Sequence, residues 1–185
     1  LSGLKNTIII TFFAVLLGIF LGFVIAIVRS THDKTGKLKI LNVICRVYLT
    51  VIRGTPTMVQ LLIVFYVIFA TIDPGKIVVA IIAFGMNSAA YVAEIVRSGI
   101  QAIDRGQTEA SRSLGMNGAQ TMIYIILPQA IKNILPAIGN EFVSIIKESS
   151  ILYTIGIYEL TYQANKLAST NFRYLETLTI SALIY

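Results

Sequence analysis

No charged residue lies between Lys5 and Arg29. The 23 residues from Asn6 to Val28 are mostly Ile, Leu, Phe and Val. A helix of about 20 apolar residues crosses the ~30 Å hydrocarbon layer of a bilayer, so this stretch is long enough to span one. A secretory signal peptide has a shorter apolar core and a small-residue cleavage site. Neither fits, and the stretch reads as a retained span. Composition agrees. Hydrophobic residues make up 56% of the 185 and charged ones 13%, where an average soluble domain has about 25% charged. Mean hydropathy is +0.79. The chain is too apolar for disorder, and its single cysteine, Cys45, excludes a disulfide scaffold. An all-α integral membrane fold is the class that remains.

Further apolar runs follow. Gly54 to Ile72 holds 19 charge-free residues, and its helix is expected to begin before Arg53, around Tyr48. Ile77 to Ala93 holds 17 more and ends in Glu94 and Arg97. Asp73-Pro74-Gly75-Lys76 between them predicts a tight turn joining antiparallel helices. The fourth run is less regular. Ser113 to Ile131 lacks charge but carries Asn117, Gly118, Gln120, Pro128 and Gln129, and Lys132, Pro136, Glu141, Lys147 and Glu148 follow among Ile, Leu, Val and Phe. Ionisable groups at membrane depth are costly unless they face a cavity or a partner, so this span is expected to line something polar. A fifth run, Leu175 to Tyr185, covers only about half the bilayer at 1.5 Å per residue. The pattern predicts five spans with the last cut short, a chain continuing past Tyr185, and residues before Leu1, which is not a methionine.

Basic residues set the expected orientation. Arg29, Lys34, Lys37, Lys39 and Arg46 follow the first span against one acid, Asp33, and Arg97, Arg105 and Arg112 follow the third. Cytoplasmic loops carry such an excess, which puts both loops inside, the N-terminus outside and the C-terminus inside. The net charge of +6 then reports topology and calls for no nucleic acid. Gly18, Gly22 and Ala26 are small residues one helical step apart and predict close helix packing. Pro56 is expected to kink the second span by removing a backbone donor. Arg53 either snorkels to the inner interface or braces a gate. His32 and Cys45 each stand alone, one as a solvated loop residue and the other in packing or against lipid.

The loop after the third span contains Glu109-Ala110-Ser111, then Gly115, then Ile125-Ile126-Leu127-Pro128. Gln107 to Leu114 is helix-forming, Thr108 is a candidate cap, and Gly115 suits a left-handed stop. Ala110 and Leu114 are four apart and share a face that could enter a partner's groove. This spacing resembles the E-A-A-x-x-x-G-(x9)-I-x-L-P signature of permease subunits of ATP-binding-cassette importers, with Ser111 in place of the second Ala. Arg53-Gly54-Thr55-Pro56 with Val59-Gln60-Leu61, the stretch Asn87 to Ile100, Leu127-Pro128-Gln129-Ala130, Gly139-Asn140-Glu141 and Lys147-Glu148-Ser149-Ser150 resemble the polar-amino-acid permeases of the histidine/glutamine/arginine type.

The resemblance implies one MetI-like permease domain over residues 1–185, with a cytoplasmic coupling helix and EAA-type loop at 107–122. It implies a bacterial cytoplasmic-membrane protein that imports a polar amino acid, with basic ones among the candidates, by alternating access. Its partners would be two ATP-binding subunits, which hold the ATP and magnesium, a second permease subunit, an extracytoplasmic amino-acid-binding protein and membrane lipid. Glu109, Ala110, Ser111, Gly115, Leu127 and Pro128 would couple to the ATPase. The chain has no G-x-x-x-x-G-K-[ST] phosphate loop and no cofactor of its own is expected, so the subunit is read as a non-enzyme. A self-contained channel or ion-coupled carrier is the competing class, though no internal repeat supports it.

A zwitterion needs a carboxylate for its ammonium and donors for its carboxylate. Glu148 with Ser149 ends the fourth run, Glu141 lies two turns earlier, and Asn87 and Tyr91 share a face of the third span. Glu148, Tyr91, Asn87, Ser149, Gln60 and Glu141 are therefore the candidate substrate residues. The alternative is that Glu141 pairs with Lys147 or caps backbone and that Glu148 is interfacial.

Overall fold

A computed structural model describes residues 2–185; Leu1 and the Lys34 side chain, one of the charges of the first basic loop, lie outside the described residues. The chain is helical throughout its described elements. Helix α1 runs over Ser2–Thr35, α2 over Lys39–Gly54 and α3 over Thr57–Ile63, which loosens into π-helical turns at Val64–Ile68. Helix α4 covers Lys76–Gln101 and α5 covers Arg105–Ser113. A single turn, α6 (Gly118–Gln120), passes through π-helical Thr121–Ile126 into α7 (Leu127–Glu148) and a tight 3₁₀ stretch, Ser149–Ile155. Helices α8 (Leu160–Asn171) and α9 (Tyr174–Ile184) complete it.

Three of these are long and apolar enough to cross a membrane: α1, α4 and the composite Gly118–Ile155. The predicted second span is not one helix starting near Tyr48. It is two helices, α2 and α3, bent by 113°. The fifth run is an 11-residue helix, Tyr174–Ile184. The turn before α4 forms as expected, with Gly75 at φ 91° donating to Asp73 Oδ1 at 2.9 Å.

Helix α1 lies along α4 through its small residues. A Cβ added to Gly18 would sit 2.6 Å from Ser88 Oγ, and one on Gly22 would sit 2.7 Å from Val92 Cβ. From α4's side, a Cβ on Gly85 would meet Leu17 at 2.5 Å. The contacts advance together along both chains, so α1 and α4 run parallel. Helix α7 runs the other way against α4, with Gly99 opposite Ile134. Ile10, Ala14, Leu61, Phe84 and Ile145 close one core, and Ala26, Val92, Val96, Ala130 and Ile134 close a second nearer the basic end. The outward faces carry Phe12, Phe13, Phe20 and Ile27 exposed, as lipid contact requires.

The non-basic end is tied by Glu159. It is fully buried and caps α8 by accepting from the Thr161 and Tyr162 N–H groups, while Tyr185 Oη donates to its Oε2 at 2.8 Å. Asn6 Nδ2 on α1 donates to Tyr158 O at 2.9 Å, which fixes the start of α1 to the same corner.

Replacing Gly22 with Leu should lower the thermal midpoint in detergent, because overpacking a tight contact costs about 1–3 kcal/mol. Gly54→Ala, where an added Cβ meets nothing within 4 Å, should leave it unchanged. Equal midpoints for both variants would contradict the seam.

Candidate translocation and coupling sites

The break between α2 and α3 is where the fold meets the polar interior. Pro56 has no N–H, so Ile52 O loses the partner that a continuous helix would supply. At membrane depth a freed carbonyl must find another donor. Gln60, one turn after the proline, supplies it. Its Nε2 lies 2.7 Å from Ile52 O, 3.0 Å from Thr55 O and 2.8 Å from Thr55 Oγ1. Thr55 Oγ1 in turn donates to Val51 O at 2.8 Å. The other end of the Gln60 amide, Oε1, accepts from Asn87 Nδ2 at 2.9 Å. Asn87 is buried on α4. Two predicted substrate residues therefore do meet, and their amides are engaged in bracing the break.

Beside them lies the acid pair. Asn87 and Ser88 sit about 17 Å along α4 by helical rise, near the middle of a ~30 Å hydrocarbon layer. Glu141, 9% exposed, faces Ser88 and lies close enough to Glu148 for the two charges to interact. Glu148 faces Thr57 at the start of α3. Ser88 Oγ and Glu148 Oε2 are buried without a hydrogen-bond partner that meets geometric limits. Helix α7 is continuous from Glu141 to Glu148, so the expected shared face holds. The alternative pairing of Glu141 with Lys147 does not form: no such ion pair exists among the described residues.

The remaining predictions fall elsewhere. Ser149 is fully buried, and its hydroxyl turns back to Ile146 O at 2.6 Å. Tyr91 is one turn from Asn87 toward the basic end, where Arg53 Cζ stands 5.8 Å from its ring centroid. Arg53, expected either to snorkel or to brace a gate, is also 3.7 Å from Glu94 and so is tethered to α4. Sequence reasoning missed Ser88 and Thr57, although each adjoins a residue it did single out. It missed Glu94 as a hub as well: Arg29 and Arg97 approach it at 3.6 Å each. The pairing of Arg97 was legible, being three residues from Glu94 on one helix. His32, expected in a solvated loop, lies in the last turns of α1, which runs on to Thr35, with Nδ1 3.0 Å from Lys37 O.

At the basic end α5 forms the predicted short helix with a different start. Asp104 caps it, its Oδ1 accepting from Gly106 N at 2.6 Å, and Thr108 lies inside. Asp outranks a mid-helix Thr because its carboxylate reaches the orphan N–H groups of the first turn. The helix stops at Gly115, φ 83°. Ala110 and Leu114 point outward, Leu114 at 84% exposure, and Glu109 is exposed beside them. Ser111 differs. It is 4% exposed, and its Oγ reaches Thr108 O at 2.9 Å and Thr121 Oγ1 at 3.0 Å. It latches α5 to the start of the composite span. Leu127 and Pro128 open α7 directly after the π-helical turns, and Pro128 supplies no backbone N–H at that junction. Asn117 and Gln120 close a capping box just before.

Residues 14–185 match the family described as binding-protein-dependent transport system inner membrane component. The chain belongs to that family. It is 39% identical to the arginine transport system permease protein ArtQ of Bacillus subtilis, over all of this chain and 83% of that one. It is 34% identical to the probable amino-acid permease protein YxeN of the same organism, over all of this chain and 82% of that one. A solved amino acid ABC transporter, crystallised with histidines, superposes with a TM-score of 0.89 at 46% identity, covering all of this chain and 84% of that one. The inward-facing MetNI methionine transporter gives 0.77 at 18% identity, over 99% and 88% of the two chains, which is a likeness of fold. The resemblance to MetI-like permeases read from the sequence is correct.

Gln60→Leu removes the donor to Ile52 O and leaves that carbonyl, Thr55 O and the Asn87 amide short of partners. An unsatisfied buried polar group costs about 1–3 kcal/mol, so the variant should unfold at a clearly lower temperature. Gln60→Glu should not restore it, since a carboxylate cannot donate.

Proposed function

We propose that the chain is one of two permease subunits of an ATP-driven importer that carries a polar amino acid with a cationic side chain across the bacterial cytoplasmic membrane. The observation that carries this reading is the acid pair, Glu141 beside mid-depth Ser88 and Glu148 two turns further along α7. Glu141 and Glu148 face Ser88 and Thr57 beside the Pro56 break, and one Glu148 oxygen is buried without a partner. A buried carboxylate short of donors favours an ammonium or guanidinium arriving with several. The names of relatives such as the arginine permease of Bacillus subtilis support the same class. In this reading Gln60 and Asn87 shape the site, while Tyr91 and Ser149 stand at its edges.

The basic end faces the cytoplasm, and α5 docks there on a separate ATP-binding subunit through Glu109, Ala110 and Leu114. Gly115 sets the exit angle of the helix, and Ser111 passes its displacement to the composite span through Thr121. Leu127 and Pro128 anchor the start of α7. ATP and magnesium belong to the partner subunits, and an extracytoplasmic binding protein delivers the solute. Closure of the ATPase pair draws the two connector helices together and rocks the bundles as rigid bodies.

Two outcomes check this in proteoliposomes holding the permease with its ATPase and binding protein. Glu148→Gln should lower uptake of arginine about tenfold, the loss of one charge-assisted hydrogen bond of roughly 1.5–3 kcal/mol, and should affect glutamine less. Equal losses for both amino acids would remove Glu148 from side-chain recognition. Gly115→Leu places a side chain at a left-handed position and should break the dependence of ATP hydrolysis on loaded binding protein while the subunit still reaches the membrane. Wild-type coupling in that variant would count against the connector.

A further inference from the structure

A polar cavity of about 540 Å³ opens at the basic end between α1, α2 and α4. Four arginines line it, Arg29, Arg46, Arg53 and Arg97, with Glu94 as the single acid and Thr50 beside them. The pocket therefore carries a net charge of about +3, four guanidinium groups against one carboxylate. Glu94 does not saturate them. Its three ion pairs are 3.6–3.7 Å long, beyond hydrogen-bond length. Arg29 Nε and Arg97 Nε are buried with no partner, and Arg46 makes no ion pair among the described residues. Convergent arginines with unused donors are costly to hold together unless a polyvalent oxyanion joins them, and guanidinium forks match phosphate oxygens.

We propose that this pocket binds a phosphate group. Its position at the membrane-water boundary makes an anionic phospholipid headgroup one source, and soluble phosphate is the other. Arg46 is exposed at its rim and is the entry contact. Arg29 and Arg97 form the floor, and Arg53 links the site to Tyr91 on α4 and to the break after Gly54. A bound phosphate would thereby lock the inner end of α2 against α1 and α4.

The test uses the assembled transporter in detergent, titrated with dioleoyl phosphatidylglycerol or dioleoyl phosphatidylcholine and followed by native mass spectrometry, with inorganic phosphate as competitor. Phosphatidylglycerol should bind more tightly than phosphatidylcholine, and Arg46→Gln should weaken it about tenfold, with Arg46→Lys intermediate because an ammonium lacks the fork. Displacement by millimolar inorganic phosphate assigns the soluble source, and its absence assigns the lipid. Lys132→Gln, on the exposed side of α7, should change nothing. Equal weakening by Lys132→Gln and Arg46→Gln would reduce the effect to general surface charge and overturn the site. Failure of wild-type and Arg46→Gln protein to differ with either probe would overturn it too. Should Arg46→Gln not assemble, the Arg46→Lys intermediate alone decides.

Discussion

The close approach of α1 to α4 sets the positions of the other elements. Glycines at 18 and 22 let the two backbones meet where Ser88, Ala89 and Val92 pass. Without a hydrophobic drive between helices in lipid, such small-residue contacts supply the van der Waals packing that holds a bundle together. Because the seam consumes one face of α4, the adjacent faces are left to α2, α3 and α7. Asn87 is then directed to the broken second span and Ser88 to Glu141.

The proline break adds a second constraint. A 113° bend inside an apolar layer would strand carbonyls, and the side chains of Gln60 and Thr55 take them up, with Asn87 donating to the Gln60 amide oxygen from α4. This explains why polar residues occur there without requiring each to touch solute. It also separates two kinds of polar group that composition alone cannot distinguish. The amides have their partners, whereas Glu148 Oε2 and Ser88 Oγ do not.

Most of the architecture was legible because its signals are local. The first and third charge-free runs, the Asp73–Lys76 turn, the Gly18/Gly22 spacing and the Gly115 stop are set by neighbouring residues, and each reappears in the structure. The failures arise where distance in space decides. Tyr48 looked like the start of the second span, yet its helix begins at Lys39 and the bend at Pro56 separates it from α3. Thr108 looked like a cap until Asp104, closer to the free N–H groups, took the role. The Arg29–Glu94–Arg53 cluster joins three helices, and no periodicity reveals that. Ser111 was grouped with the docking residues by its place in a motif, but its burial turns it toward Thr121.

That inward turn bears on how motion at α5 would travel. A helix held only by its flanking loops would swing without moving the bundle. Here a buried hydroxyl pair, Ser111 Oγ to Thr121 Oγ1 at 3.0 Å, joins α5 to the π-helical segment that feeds α7. An alanine at this position would leave Thr121 buried and short of a partner, so the serine gives the lever a polar fastening in addition to packing. The π-helical turns at Thr121–Ile126 are less tightly wound than the helix they precede, and such bulges concentrate at functional sites. Displacement of α5 therefore enters α7 through a compliant joint, and α7 ends 22 residues later at Glu148. Helix α7, with Pro136 inside it, runs from that joint to Glu148, and in the proposed reading this is the path from the exposed connector to the acid.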